Sequence, residues 1–441
     1  MTDTLAALYP QHLAETLARA DRALERGGFD HLLIAAGVET YAFLDDNHYP
    51  FRCNPHFKAW VPLTANPHCW IAYSPGRKPV LAYHQPADYW HLPPAPPTGD
   101  WVEHFDLRII DHPSAARAHL PSDLSRAASV GEPGAAIAGA LPNNPAGVLA
   151  SLHLARTRKT AYEIECMRAA SRIAARAHRA AAAAFRERRS EHAIHRAYCE
   201  AAGQDADALP YGNIVALNEH AATLHYQHQE REVPATHRAL LIDAGAQFHG
   251  YAADITRTYG DGGTEFTELL EAVNRVQLAL CERVRPGQDY TALHLEAHRL
   301  LAEVLARHGL VRMAADSIVD SGISRAFFPH GLGHFLGLQV HDVAGLQRDE
   351  DGGTIARPAD HPYLRLTRVL QEGNVLTIEP GIYFIELLLA PLRSGPCAAA
   401  IDWAKVARLA PYGGIRIEDN VAVTEGGPEN LTRDAFRRLA A

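Results

Sequence analysis

Cysteine is scarce in this 441-residue chain and never paired: Cys53, Cys69, Cys166, Cys199, Cys281 and Cys397 lie far apart and form no CxxC motif. That spacing excludes a disulfide framework and a thiolate metal site, and it makes reduced thiols in a cytoplasmic protein the expectation. Long apolar runs are missing too. No stretch reaches the ~18 apolar residues of a membrane helix. The opening MTDTLAALYPQHLAETLARA carries acidic residues and polar breaks where a secretory leader needs a basic start and an unbroken apolar segment. No Lys/Arg cluster is long enough to track phosphates, so neither nucleic acid nor a membrane is an expected partner. The formal charge of −9 mainly favours solubility.

What is present reads as globular. Hydrophobic residues make up 47% and charged residues 21%, and the length exceeds the size at which one core stops growing, so two domains are expected. Residues 4–27 have helical periodicity, and short apolar runs at 31–36, 69–73, 80–83, 107–110 and 128–130 read as strands separated by Pro and Gly clusters. These predict a first α/β domain over 1–156. Thr160 and Glu163 have capping-box spacing and open an Ala-rich helix reaching about Arg188. Beyond it the pattern predicts a helix over 191–202, strands near Ile214 and Leu240, helices over 264–285 and 289–308, and strand-like runs at 375–383, 414–419 and 420–424. The second half, 157–441, is therefore expected to be α+β with mostly antiparallel strands.

Five potential metal ligands, Asp243, Asp254, His334, Glu379 and Glu418, lie in strand-like or strand-end segments of that half. Four carboxylates and one imidazole are mostly hard oxygen donors, which suit a pair of Mn²⁺-like ions better than a closed structural zinc. The segment ALLIDAGAQFHGYAADITRTY predicts two strands joined by a turn with its midpoint between Phe248 and His249. Asp243 and Asp254 are then cross-strand neighbours roughly 5 Å apart at Cβ, close enough to require a cation or a proton between them. His330 and His334 in PHGLGH have zinc-protease spacing, but the glycines argue against a helix and no Glu follows His330. His341 is a further inward-facing candidate. Period two places Thr377 beside Glu379, and Arg416 beside Glu418, where a plain ion pair would be the unremarkable reading.

Taken together, Asp243, Asp254, His334 in PHGLGH, Glu379 in TIEPG and Glu418 in GIRIEDN resemble the metal-site signature of the pita-bread metallopeptidases. Within that family the bacterial Xaa-Pro dipeptidases (prolidases), relatives of organophosphorus acid anhydrolase, are the most similar, and FLDDNHYPFRCNPHFKAWVP near the N-terminus also resembles that subfamily. The resemblance implies a pita-bread catalytic domain after a smaller creatinase-like α/β domain, and two divalent metal ions, Mn²⁺ first with Co²⁺ or Zn²⁺ as alternatives. It implies that Asp243 chelates one metal, that Asp254 and Glu418 bridge both, and that His334 and Glu379 complete the second.

The same resemblance makes His225 and His341 substrate-site histidines, and Arg365 the arginine that holds a dipeptide's C-terminal carboxylate. Arg416, Tyr211 and His330 would line the pocket. A hydroxide between two metals is nucleophilic near neutral pH, Glu379 would carry its proton, and His341 would stabilise the oxyanion. The expected reaction is hydrolysis of Xaa-Pro dipeptides before the C-terminal proline. Side activity on organophosphorus esters follows from the electrostatic likeness of P=O to C=O. A homodimer is implied in which the loop around Asp45, Asp46, Tyr49, Phe51, Phe57 and Trp60 reaches the partner's active-site mouth. Competing readings are an aminopeptidase P-like exopeptidase and a catalytically silent binding protein on the same fold.

Overall fold

The computed structural model describes residues 2–90, 92–136, 141–260 and 264–440. They form two compact units, one of residues 1–166 with 249–251 and 347–354, the other of 167–248, 252–346 and 355–441.

The first unit is built on a five-stranded sheet that mixes parallel and antiparallel neighbours. The expected strands appear at His31–Ala35, Trp70–Tyr73, Val80–His84, Asp106–Ile110 and Ala127–Val130. The helix Thr2–Gly27 matches its periodicity, and a second helix, Ala146–Arg156, was not anticipated because its few polar residues blur the 3.6-residue pattern. Thr160 and Glu163 form the expected reciprocal cap, with Thr160 N–H donating to Glu163 Oε2 at 2.8 Å and Glu163 N–H to Thr160 Oγ1 at 3.3 Å.

In the second unit each named strand pair is antiparallel. Ile214–Leu217, Ala239–Asp243 and Thr256–Gly260 make one sheet, and Val375–Ile378, Asp419–Thr424 and Gly427–Asn430 make another. The helix Ala161–Arg186 lays small side chains inward: Ala170, Ala174, Ala177 and Ala181 are fully buried, so the backbone can approach the sheet closely. Helices Glu265–Cys281 and Tyr290–Arg307 pack a large apolar core behind the second sheet.

Two expected runs are interrupted. Residues 375–383 divide into Val375–Ile378 and Gly381–Tyr383, and the expected runs 414–419 and 420–424 appear as Gly414–Arg416 and Asp419–Thr424, with the break at 417–418 instead of after Asp419. The gaps hold Glu379 with Pro380, and Ile417 with Glu418. Pro380 has no N–H to give to a ladder, which accounts for one break. The register is nevertheless continuous, since Ile378 faces Asp419 before the gap and Gly381 faces Arg416 after it. Carried across, it sets Glu379 opposite Glu418.

The strand Asp419–Thr424 is pinned at its start by Asp419, which accepts from Arg257 Nη2 at 2.7 Å, Arg433 Nε at 2.7 Å and Asn430 Nδ2 at 2.9 Å. Burial alone would raise this carboxyl, but the two guanidiniums pull it down to about 2. A depressed acid stabilises the fold above its unfolded value of 3.8 and loses that contribution as pH falls towards 2. Replacing Asp419 by Ala takes the carboxylate away from Arg257 and Arg433 at the start of this central strand, and equilibrium unfolding at pH 7 is expected to show a loss of about 3–5 kcal/mol. The same substitution should cost markedly less at pH 2.

Candidate metal centre

Asp243 ends its strand, and the hairpin that follows differs from expectation. His249 and Gly250 both have positive φ, 50° and 84°, the pairing of a type I′ turn. The turn therefore centres one residue later than expected, and Asp243 faces Thr256 rather than Asp254. In a regular ladder positions two apart share a face, so this slip leaves Asp254 on the side where Asp243 lies. The two carboxylates still meet: Tyr211 Oη donates to Asp243 Oδ1 at 2.8 Å and to Asp254 Oδ1 at 2.6 Å. Glycine is needed here, because a Cβ on Gly245 would sit 2.1 Å from Ala253 O and 2.7 Å from the Tyr211 ring.

The other candidate ligands converge on the same point. Thr256 Oγ1 donates to Glu418 Oε2 at 2.7 Å, and Glu418 N–H donates to Thr256 O at 3.1 Å. His334 Nε2 lies 3.4 Å from Asp254 Oδ2 and 3.7 Å from Glu379 Oε1. Ligand atoms of Asp254, His334 and Glu418 all fall within 4.8 Å of one another. His334 Nδ1 donates to Phe335 O at 2.9 Å, which leaves the Nε2 lone pair turned to the carboxylates. Gly333 permits this approach, since a Cβ there would meet Thr377 O at 2.1 Å.

Around this cluster stand the residues expected to hold substrate. Arg416 does not pair with Glu418 as its strand position suggested; its Nη2 donates to Asp243 Oδ2 at 2.8 Å and its Nη1 to Tyr383 Oη at 3.0 Å. Tyr383 Oη also meets His330 Nε2 at 2.7 Å. His341 stands edge-on to His334 with ring centroids 4.4 Å apart. Burial, then the charges of His334 and Arg365, lower its pKa to about 4, with His225 adding to the effect, which brings Arg365 and His225 within electrostatic reach. His341, His225 and Arg365 are exposed. Sequence reasoning missed Thr256, Asn420 and Tyr383. Asn420 Oδ1 accepts from Asp254 N–H at 3.0 Å, and Tyr383 lies four residues after Glu379, a period-two signal that could have been read.

The electrostatics ask for positive charge. Burial and then repulsion from Asp254 and Glu379 push Glu418 well up, and burial lifts Glu379 to about 7 despite His334 and Arg416. Asp243 is raised by burial against the pull of Arg416. Asp254 goes the other way: burial would raise it, but the hydrogen bond and charge of His334 hold it low, and His334 is correspondingly raised against its own burial. Two divalent cations among these oxygens would invert that logic, so the donor set fits a dinuclear oxygen-rich centre.

Two family models match this chain, one in each half. Residues 7–154 match the model of the Xaa-Pro dipeptidase N-terminal domain, and residues 165–425 match metallopeptidase family M24. The chain belongs to family M24, in its Xaa-Pro dipeptidase branch. A curated Xaa-Pro dipeptidase of Xanthomonas campestris pv. campestris (strain 8004) is 54% identical over 434 residues, 98% of either chain. One from Stenotrophomonas maltophilia (strain K279a) is 54% identical over 431 residues, 98% of this chain and 97% of that one. Among solved structures, aminopeptidase P from E. coli, zinc-substituted and in complex with product, has TM-score 0.69 at 23% identity, covering 96% of this chain and 95% of that one. Pseudomonas aeruginosa aminopeptidase PepP has TM-score 0.70 at 23% identity, covering 97% and 98%. The family members thus share the pita-bread fold.

The ion-free cluster has a testable pH signature. A group raised on folding contributes stability below its unfolded pKa and loses it as pH rises through the folded value. For Glu379 that window runs from 4.5 to about 7, and the raised His334 and Glu418 act with the same sign. Buried histidines with lowered pKa values act with the opposite sign over the same range, so the signature is a difference: in calorimetry the melting temperature of the chelated protein minus that of its chelated Glu379→Gln variant should fall from pH 5 to pH 8, and excess divalent cation should raise the melting temperature of the unaltered chain more than that of the variant. Gly333→Ala should cost about 1–3 kcal/mol through forced displacement, and metal titration should show weakened binding.

Proposed function

We propose that this protein is an Xaa-Pro dipeptidase that hydrolyses the bond before a C-terminal proline. The observation that carries the reading is the convergence of Asp243, Asp254, His334, Glu379 and Glu418 within a family whose 54%-identical members bear that name. Asp243 would hold one ion, Asp254 and Glu418 would be shared, and His334 with Glu379 would complete the second; the oxygen-rich set favours Mn²⁺. When bound, such ions supply Lewis acidity and lower the pKa of water.

The chain's own groups supply the rest. A Glu379 carboxyl placed among like charges is suited to accept a proton from the attacking water and return it to the departing proline nitrogen. His341 and His225, on the exposed side of the cluster, would face the scissile carbonyl and donate to its developing oxyanion. Arg365 would grip the C-terminal carboxylate as a bidentate partner, so a longer peptide would leave that charge unmatched. Arg416 and His330, joined through Tyr383, hold the wall of the pocket, and Tyr211 spaces the two aspartates.

Cleavage of Ala-Pro but not Ala-Pro-Ala by the metal-loaded enzyme is the expected result; robust cleavage of the tripeptide with none of the dipeptide would replace this reading by an aminopeptidase P-like one. No turnover of either by metal-loaded protein would favour a silent binding protein. Arg365→Ala should raise KM for Ala-Pro about 10- to 100-fold, from the roughly 1.5–3 kcal/mol of a charge-assisted contact. Weak hydrolysis of a paraoxon-like ester is a further expectation from the same electrophilic site.

A homodimer in the cytoplasm is part of the same proposal. Among the described residues no helix is long and apolar enough to cross a membrane. The N-terminal loop divides in two: Phe57 and Trp60 are core residues at 0% and 4% exposure, whereas Phe43, Leu44 and Tyr49 are 87%, 91% and 58% exposed. That exposed set is suited to cover a partner subunit. Light scattering should give twice the chain mass, and a fully active monomer would remove the loop from the mechanism.

A further inference from the structure

Away from the carboxylate cluster three histidines meet inside the second unit. His294 and His298 stand one turn apart on the helix Tyr290–Arg307, and His361 enters from the segment that leads to Arg365. One candidate ligand nitrogen from each lies within 4.8 Å of the other two. Ring centroids are 4.8 Å apart for His294 and His298, and 4.6 Å from each of these to His361. His294 and His298 are each 1% exposed.

Mutual hydrogen bonding would be the simplest reason for such a cluster, and it falls short. His294 Nε2 meets His361 Nδ1 at 2.9 Å, and His298 Nδ1 meets Ser324 Oγ at 3.1 Å. His294 Nδ1 and His298 Nε2 are buried with no partner among the described residues. Each orphaned polar atom costs on the order of 1–3 kcal/mol. Where His298 Nδ1–H donates to Ser324, Nε2 keeps its lone pair, the arrangement in which a ligating imidazole is aimed through its other nitrogen. Burial is the first cause that disfavours the charged form of all three rings.

We propose that His294, His298 and His361 form a second metal site, distinct from the carboxylate centre, for a borderline divalent cation of the Zn²⁺ class. Three imidazoles favour Zn²⁺, Co²⁺, Ni²⁺ or Cu²⁺ over the hard ions that suit the carboxylates. With Zn–N bonds of about 2.0–2.1 Å, tetrahedral ligand nitrogens stand about 3.3–3.4 Å apart, so modest ring rotations close the cluster. The ion would act as a tie. Leu364 N–H donates to His361 O at 3.2 Å, so fixing His361 steadies the turn that leads to Arg365. The Phe328 ring lies 4.9 Å from His298 and 4.8 Å from His330, which carries the constraint to the pocket wall. The site stands on its own geometry and does not depend on the reaction proposed above.

Equilibrium dialysis against Zn²⁺ alone tests it, using the full chain with Asp254→Asn and His334→Ala to disable the carboxylate centre. One equivalent of Zn²⁺ per chain is expected, with loss of that equivalent when His361→Ala is added; His361 is half-buried, so its removal should leave the fold intact by circular dichroism. Co²⁺ in the same chain should show the visible bands of a four-coordinate, nitrogen-ligated ion. Should the disabled chain fail to fold, the unaltered chain and its His361→Ala variant serve instead, and Zn²⁺ stoichiometry should fall by one between them. Equal Zn²⁺ binding with and without His361, or none in the folded disabled chain, would overturn the proposal.

Discussion

Bringing four carboxylates to one point is the constraint around which the second unit is arranged. Asp254 and Glu418 are 5% and 2% exposed, and a buried charge is costly unless it is paired or neutralised. The protein offers partial relief through the hydroxyls of Tyr211 and Thr256, the Arg416 guanidinium and the His334 ring. One guanidinium and one imidazole, with two hydroxyls, cannot balance four anions, and burial and repulsion push Glu379 and Glu418 towards their neutral forms. Divalent charge is the missing complement, and the chemistry attributed to the protein is a consequence of that imbalance.

The sheets serve this constraint by breaking where the candidate ligands are. Asp243 is the last residue of its strand, Asp254 precedes the next, and Glu379 and Glu418 occupy facing gaps in a ladder whose register is otherwise continuous. A residue in a gap is released from strict alternation, so its side chain can turn to a shared centre while the flanking pairs hold its backbone. Gly245 and Gly333 extend the principle: both sit where another backbone oxygen occupies the space of a Cβ. The Asp419 clasp, with arginines drawn from a strand and a helix, keeps the ladder from spreading beside the gap.

Much of this was legible in the residue string. The strands of the first unit, the Thr160–Glu163 cap and the helix Glu191–Ala202 follow from periodicity and end signals. The hairpin after Asp243 shows the limit of that reasoning. A midpoint between Phe248 and His249 would set the two aspartates opposite each other, but the positive φ of His249 and Gly250 moves it by one residue, because turn geometry sets the register of a hairpin. Arg416 shows another limit: strand alternation puts it beside Glu418, yet a long side chain reaches across to Asp243 and Tyr383.

The sequence alone supplied the candidate donors, four carboxylates and an imidazole, and hence the kind of chemistry they suit, since donor type and charge are properties of side chains and require no knowledge of their positions. It also determined which segments could be strands, because burial on one face imposes a period of two. Tertiary structure alone decided which atoms meet: that one tyrosine hydroxyl spans Asp243 and Asp254, that Tyr383 joins His330 to Arg416, and that three histidines 67 residues apart at their extremes share one pocket. Such meetings depend on the closing of turns and the docking of helices, whose free energies are summed over many distant contacts and leave no local mark in the order of residues.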